Sequence, residues 1–132
     1  MKTSETNFYS VEQFADLQIL RYRVNGFESL SLNQKKLIYY LSEAALNGRD
    51  ILFDQNGKLN LKIRRMLEAV YVNYDGDRTD AEFLALEVYL KRIWFSSGIH
   101  HHYSTDKFIP GFSVDFLRDA VMATDKALFP FT

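Results

Sequence analysis

The segment TDAEFLALEVYLKRIWFSSG, residues 79–98, predicts the central helix of this protein. Thr79 and Glu82 have capping-box spacing at its start, and Gly98 supplies a C-terminal stop. A helix that is apolar on two faces is usually surrounded by other helices, so we expect this one to lie at the centre of a bundle. The first face carries Phe83, Leu86, Leu90, Ile93 and Trp94, and the second carries Leu84, Val88 and Phe95.

Four further segments predict helices around the central one. Ser10 and Ser31 each stand three residues before a glutamine, which is the spacing of a capping box, and Ser113 is a favourable N-cap. Residues 48–57 read as a connector with an apolar plug, and no strand signal of comparable strength occurs. We therefore predict an all-α fold of about five helices in an irregular bundle, a single subdomain over residues 1–132 with residues 1–9 frayed. The predicted helices are residues 11–24, 32–46, 59–73, 80–96 and 114–129.

The composition excludes several classes of protein. The chain has 132 residues, a net charge of −1 and no cysteine, so it offers no electrostatic footprint for nucleic acid, no disulfide framework and no thiolate metal site. No apolar run approaches the ~20 residues of a transmembrane helix, and the N-terminus lacks the apolar core of a signal peptide. We expect no nucleic-acid or membrane partner. The compartment is left open as cytoplasmic or, if a signal was removed, periplasmic.

The loop WFSSGIHHHYSTDKFIP, residues 94–110, is the longest part of the chain that is not plainly helical, and it holds all three histidines. One hypothesis is a zinc site, but in an extended segment only His100 and His102 share a side, and a third ligand such as Asp106 would be needed. A second interpretation makes the loop a set of polar contacts to a peptide or other ligand. A third is a structural loop whose histidines cap helix ends.

Recognisable catalytic motifs are absent from the sequence. It contains no Gly-x-Ser-x-Gly elbow, no phosphate-binding glycine-rich loop and no His-Glu-x-x-His pair. The acidic and basic residues stand at ordinary helix-surface spacing, which is typical of solvated ion pairs. By its own residues the chain does not look like a complete enzyme, and we predict no catalytic residue and no metal ligand in it.

Two segments resemble a known family. LSLNQKKLIYYLSEAALNGRDILFDQNGKLNLKIRRMLEAVY and FLALEVYLKRIWFSSGIHHHYSTDKFIPGFS are similar to the N-terminal region of dipeptidyl peptidase III, in the form found in Bacteroides-type bacteria. The resemblance extends from about Val11 to Asp125 and is most specific in the helix–loop segment. It implies a two-lobed zinc exopeptidase that releases dipeptides from peptide N-termini. The family's zinc motif, His-Glu-x-x-Gly-His, does not occur here, so no catalytic residue carries over.

The resemblance implies a role for the loop. In the family, the segment before a Lys-Phe-(Val/Ile)-Pro motif borders the cleft between the lobes and contacts bound peptide. The motif here runs from Lys107 to Pro110, which makes His102 and Tyr103 the implied substrate contacts. A shift of one residue in the correspondence would make them His101 and His102. The family's zinc is implied for the longer parent protein and not for this chain.

The predicted function is therefore that of a fragment. We expect the chain to be the N-terminal part of a zinc dipeptidyl peptidase, inactive alone, whose partners are a peptide substrate and the remaining lobes. The alternative is a free-standing helical interaction module without enzymatic activity. Because a separated subdomain exposes apolar surface that its missing lobe would cover, we also expect self-association, which sedimentation can test.

Overall fold

The computed structural model describes residues 9–129 and divides the chain into two compact units, Met1–Arg49 and Asp50–Thr132. The structure is mostly helical, at 58%, with one small two-stranded sheet. The all-α prediction is confirmed at that coarse level. That residues 1–132 form a single subdomain stays a prediction. The expected fraying of residues 1–9 concerns a segment that lies, apart from Tyr9, outside the described residues.

The first unit opens with a β-hairpin where the sequence predicted a helix from Val11. Strand β1 (Ser10–Phe14) pairs antiparallel with β2 (Leu17–Leu20). Ala15 at the turn has φ 48°, a left-handed conformation that no α-helix accommodates. Gln18 donates a hydrogen bond to the Ser10 hydroxyl at 2.9 Å, so this hydroxyl bridges two strands and does not cap a helix. The helix prediction over residues 11–24 was wrong.

The second predicted helix of the first unit is confirmed. Helix α1 spans Leu32–Leu46 after a short 3-10 turn, Phe27–Ser29. The Ser31 hydroxyl accepts from the Gln34 backbone N–H, and the Gln34 side chain accepts from the Ser31 backbone N–H at 2.9 Å. This reciprocal pair is the predicted capping box. No residue of α1 is buried, so the helix leaves a row of apolar side chains exposed.

The second unit is helical among its described residues. It contains α3 (Asn60–Asn73), α4 (Ala81–Ser96), α5 (Val114–Ala123) and nearly all of α2 (Arg49–Asn56). The prediction that residues 48–57 form a connector was wrong, because most of this segment is helix α2. Phe53, which belongs to the predicted apolar plug, packs in the core. Helix α5 is shorter than predicted, because it ends at Ala123 and a 3-10 turn over Lys126–Leu128 follows.

Helix α4 is the centre of this unit, as predicted. Four of the five residues of the first predicted stripe are buried: Phe83, Leu86, Leu90 and Ile93. They contact side chains from α2, α3 and α5, whereas Trp94 is exposed. The second stripe remains exposed, because Leu84, Val88 and Phe95 lie on the opposite face. The predicted burial on two faces was therefore wrong. The remaining core residues are Phe53, Leu67, Val70 and Ala120.

Two helices of the second unit, α4 and α5, begin at a side-chain cap. Ser113 caps α5 as predicted, with its hydroxyl accepting from the Phe116 N–H at 3.1 Å. At α4 the cap is Asp80 and not the predicted Thr79: the Asp80 carboxylate accepts from the Glu82 N–H at 2.8 Å. Among residues 9–129, no helix is both long enough and apolar enough to cross a membrane.

An ionic network ties α2 to α3. The Asp50 carboxylate accepts from Arg64 at 2.7 Å and also from Arg65, and the Arg64 guanidinium lies 4.6 Å above the Phe53 ring. The hydrogen bonds from Arg65 and Arg64 lower the pKa of Asp50 below its ordinary value of 3.8. Because the carboxylate favours its charged form in the folded state, the network stabilises the unit at neutral pH.

We expect Asp50→Asn to lower the free energy of unfolding by roughly 0.5–1 kcal/mol at pH 7, a modest value because the Asp50 side chain is 41% exposed and solvent screens the pairs. A lowered pKa stabilises the folded state above pH 3.8, and that contribution is lost as the pH falls through the folded-state pKa. The difference between variant and parent should therefore vanish in acid. Urea unfolding from pH 7 to about pH 2 measures it.

Asp54→Asn on the same helix is the matched control, since no hydrogen bond or ion pair of the Asp54 side chain exists within the described residues. It should leave stability nearly unchanged across the same pH range. A constant deficit for Asp50→Asn at all pH values would contradict the ionic explanation.

Candidate functional site

The histidine loop forms a short hairpin beyond the end of α4. The Phe108 N–H donates to the Ile99 carbonyl and the His101 N–H donates to the Asp106 carbonyl, both at 2.8 Å, with His100 bridged to Lys107. The Ser104 hydroxyl donates to the Asp106 carboxylate at 3.0 Å and closes the tip. Phe108 is buried at the base. These bonds give the loop one defined conformation on the helical scaffold.

The three residues predicted to contact substrate lie side by side on this hairpin. The His101 and His102 rings stack with centroids 4.4 Å apart, and the Tyr103 ring lies 4.0 Å from that of His102. Phe95 of α4 supports the row from below, with its ring centroid 5.0 Å from that of His102. The His101 Nδ1 accepts from the Tyr103 N–H at 3.2 Å. The result is a continuous ring surface, which we call the His–Tyr row (His101–Tyr103).

The His–Tyr row separates two concave surfaces. His101 and His102 line a polar cavity of about 420 Å³, whose walls come from α2, α3, the end of α4 and the hairpin. Tyr103, which is 88% exposed, lies on the other side, where a depression of about 580 Å³ also contacts Arg92 and Lys107. His101 borders both. The sequence-predicted residues are therefore brought together in the chain but do not share one pocket.

Asn60, at the start of α3, is a site residue that the sequence analysis missed. It lines the polar cavity although the residue is only 3% exposed. Its Oδ1 accepts from the Ile99 N–H at 3.3 Å, which orients the amide. Its Nδ2 has no hydrogen-bond partner among the described residues, and the same is true of the Ser96 hydroxyl at the end of α4. Buried polar groups of this kind are uncommon in folded proteins.

Gly57 and Gly98 make room for the Asn60 amide. A Cβ at Gly98 would lie 2.9 Å from Asn60 Cγ and closer still to Nδ2, and a Cβ at Gly57 would lie 2.9 Å from Nδ2. The amide therefore occupies space that any other residue at either position would fill. The sequence gives no local signal for this arrangement. From the sequence alone, Gly98 is predicted only to end a helix.

The electrostatic character of the two surfaces differs. Among the described residues that line the polar cavity there is no Lys, Arg, Asp or Glu, so its polarity comes from amide, hydroxyl and imidazole groups. The depression beside Tyr103 contains Arg92, Lys107 and Asp106. The Arg92 guanidinium lies 4.3 Å above the Phe108 ring, which holds that cation in place.

The hypothesis of a zinc site formed by His100, His102 and Asp106 finds no support among the described residues. Within residues 9–129, no three side chains of the His, Cys, Asp and Glu types come together in a way that could hold a metal ion. The ring planes of His101 and His102 stack on each other, and the Asp106 carboxylate is engaged by Ser104. The contacts that the loop makes are hydrogen bonds and ring contacts.

Comparisons with known proteins do not identify a family for this chain. No protein-family model matches it, and no curated protein sequence matches it significantly.

Proposed function

We propose that this chain is the N-terminal segment of a zinc dipeptidyl peptidase of the dipeptidyl peptidase III type. Its role would be to supply scaffold and part of the peptide-binding cleft, with the catalytic residues on other parts of the parent protein. The observation that carries the proposal is the His–Tyr row, a hairpin surface of three adjacent rings beside a polar cavity. Such a surface offers hydrogen bonds and ring contacts to an extended peptide.

Zinc enters the proposal only through the parent protein. The residues of this chain do not fit the metal, since the motif His-Glu-x-x-Gly-His is absent from the sequence and the described histidines do not converge with a third ligand. We therefore assign no catalytic step to any residue here. The purified chain alone should release no dipeptide from a peptide N-terminus.

The decisive experiment follows the reading frame beyond Thr132 and assays its product. We expect the frame to encode His-Glu-x-x-Gly-His and the full-length protein to release dipeptides only when loaded with zinc. A frame that stops at Thr132, or one that lacks the motif, would refute the proposal. Zinc-dependent dipeptide release by the 132-residue chain itself would also refute it.

In the full-length enzyme, Tyr103→Ala should raise KM by about 5- to 30-fold with a smaller change in kcat, because loss of an aromatic contact to bound peptide costs ~1–2 kcal/mol. His102→Ala should act in the same direction. Steady-state kinetics on a short peptide measures both. The matched control is Tyr22→Ala, an exposed tyrosine outside both the hairpin and α1, which should leave KM unchanged.

A second candidate function is a helical interaction module without enzymatic activity. The specific observation in its favour is α1, where Leu37, Tyr39, Tyr40 and Leu41 are all exposed. Exposed apolar rows of this kind often mark protein-binding surfaces. A complete reading frame that ends at Thr132 would favour this candidate over the peptidase.

A further inference from the structure

Three unfavourable features meet where α4 ends against α3. The Asn60 Nδ2 and the Ser96 hydroxyl are buried without hydrogen-bond partners among residues 9–129, although both residues line the polar cavity. Ser97, the residue after Ser96, has φ 52°, a left-handed conformation that is costly for a residue other than glycine. A cluster of strain and unsatisfied polar groups is typical of a place where function, and not stability, decides the residues.

The orientation of the Asn60 amide defines what the cavity can bind. Because Ile99 donates to Oδ1, the group that remains is the Nδ2 donor. Ser96 adds a hydroxyl that can donate a second hydrogen bond. Both atoms are covered by the chain, so a ligand would reach them through a shift of Ser97 and Gly98 while Ile99 keeps its hydrogen bond to Asn60. Among the described residues, the side-chain hydrogen bond to this pair is the 3.3 Å contact from Asn56 to the Ser97 carbonyl, and the Gly98 N–H donates to the Ile93 carbonyl at 3.1 Å.

Two donors at the wall of a cavity call for an oxygen acceptor on the ligand. A carboxylate or phosphate would bring a full charge, yet no Lys or Arg is present among the described lining residues, and a charge taken from water without a counter-charge is disfavoured. A peptide carbonyl needs no counter-charge. Its neighbouring N–H can in turn donate to an imidazole of the loop, since a neutral imidazole has one acceptor nitrogen.

We propose that Asn60 and Ser96 bind a neutral main-chain amide in this cavity, with the carbonyl oxygen accepting from Asn60 Nδ2 and the Ser96 hydroxyl. The site rests on the proposed peptide-binding role and adds to it an anchor for the peptide backbone, separate from the ring contacts of the His–Tyr row. The chemistry selects peptide backbone irrespective of side chain. The site would therefore contribute affinity and register, and not sequence preference.

The test is an NMR titration of the ¹⁵N-labelled chain with the capped dipeptide N-acetyl-Ala-Ala-amide, with sodium acetate as the charged comparison. We expect the side-chain NH₂ signal of Asn60 and the backbone signals of residues 96–102 to shift with the capped dipeptide. Ser96→Ala, which only removes the hydroxyl, should weaken binding about 3- to 10-fold, and Asn60→Asp should weaken it at least about 10-fold. Asn73→Asp at the other end of α3 should bind as the parent does.

Each outcome decides between the two proposals. If the capped dipeptide shifts the signals of His101–Tyr103 but leaves Asn60 and Ser96 unaffected, the anchor is refuted and the ring contacts stand. Absence of any shift refutes the anchor, whereas the peptidase proposal is decided separately by the reading frame and the assay of the full-length protein. Acetate binding as tightly as the dipeptide refutes the neutral ligand class. Because Asn60→Asp could fail to fold, the unfolding curve of each variant is compared with that of the parent, and Ser96→Ala keeps the anchor falsifiable.

Discussion

Phe83→Ala should lower the free energy of unfolding of the second unit by about 3–5 kcal/mol, the largest loss expected from a single truncation in this protein. Phe83 is 1% exposed and lies near the start of α4. Its ring stacks on those of Tyr74 and Tyr71 at 4.7 and 5.5 Å. The substitution would thus remove both buried apolar area and two ring contacts.

The effect of Phe83 extends to the end of α3 through Arg78. The Arg78 guanidinium lies 5.1 Å above the Phe83 ring and donates to the Tyr71 carbonyl at 3.0 Å, near the C-terminus of α3. Loss of the Phe83 ring would remove one of two rings beneath this cation, the other being that of Tyr71 at 5.6 Å. Urea unfolding measures the change, and Leu84→Ala is the control, since Leu84 is the adjacent residue and is 48% exposed. A loss below about 1 kcal/mol for Phe83→Ala would contradict the central position of α4.

The elements that the sequence predicted well are those in which local and tertiary signals agree. Ser31 and Ser113 each precede a segment with apolar residues at helical spacing, and each caps the helix that follows. The stripe from Phe83 to Ile93 has helical spacing and is buried. In such segments the local preference and the packing favour the same conformation, so the pattern alone is sufficient.

The first predicted helix failed because its signal was only local. A serine three residues before a glutamine is compatible with a strand as well as with a helix start. In the strand, the Ser10 hydroxyl accepts a hydrogen bond from Gln18 across the hairpin. The alternation along β2, with Leu17 and Ile19 on the less exposed side, is a strand pattern too short to outweigh the capping motif. The left-handed conformation of Ala15 could not have been read from an alanine, which normally favours helix.

The candidate site was predictable only in its exposed half. A run of histidines in a loop is visible in any sequence, and the resemblance directed attention to His101, His102 and Tyr103. Asn60 and Ser96 gave no such signal, since one stands at the start of a helix and the other at the end of another. They line the same cavity only because the fold brings together two segments almost forty residues apart in the chain. No local sequence pattern encodes that contact.

Because Gly98 packs against the Asn60 amide, we expect substitution of Gly98 to lower stability more than substitution of any other glycine at the site. Gly98→Ala would place a Cβ 2.9 Å from Asn60 Cγ and closer still to Nδ2, at a φ of 159° that side chains rarely adopt. We expect a loss of about 2–4 kcal/mol in the free energy of unfolding, from overpacking together with backbone strain. Gly111→Ala is the matched control, because its Cβ would meet Ala85 at 3.4 Å, an ordinary contact.

A double-mutant cycle identifies the source of the Gly98 effect. If the Asn60 amide is what the new Cβ meets, truncating Asn60 to alanine should make the Gly98 substitution less damaging, with a coupling energy of about 1 kcal/mol or more. Additive losses would instead assign the whole cost to the backbone at residue 98. The same cycle bears on the site, because an amide held between two glycines is fixed in one orientation. Suppose that the cycle shows coupling and that Gly98→Ala also loses binding of the capped dipeptide. The packing that confines Asn60 would then also orient its amide to donate to a ligand.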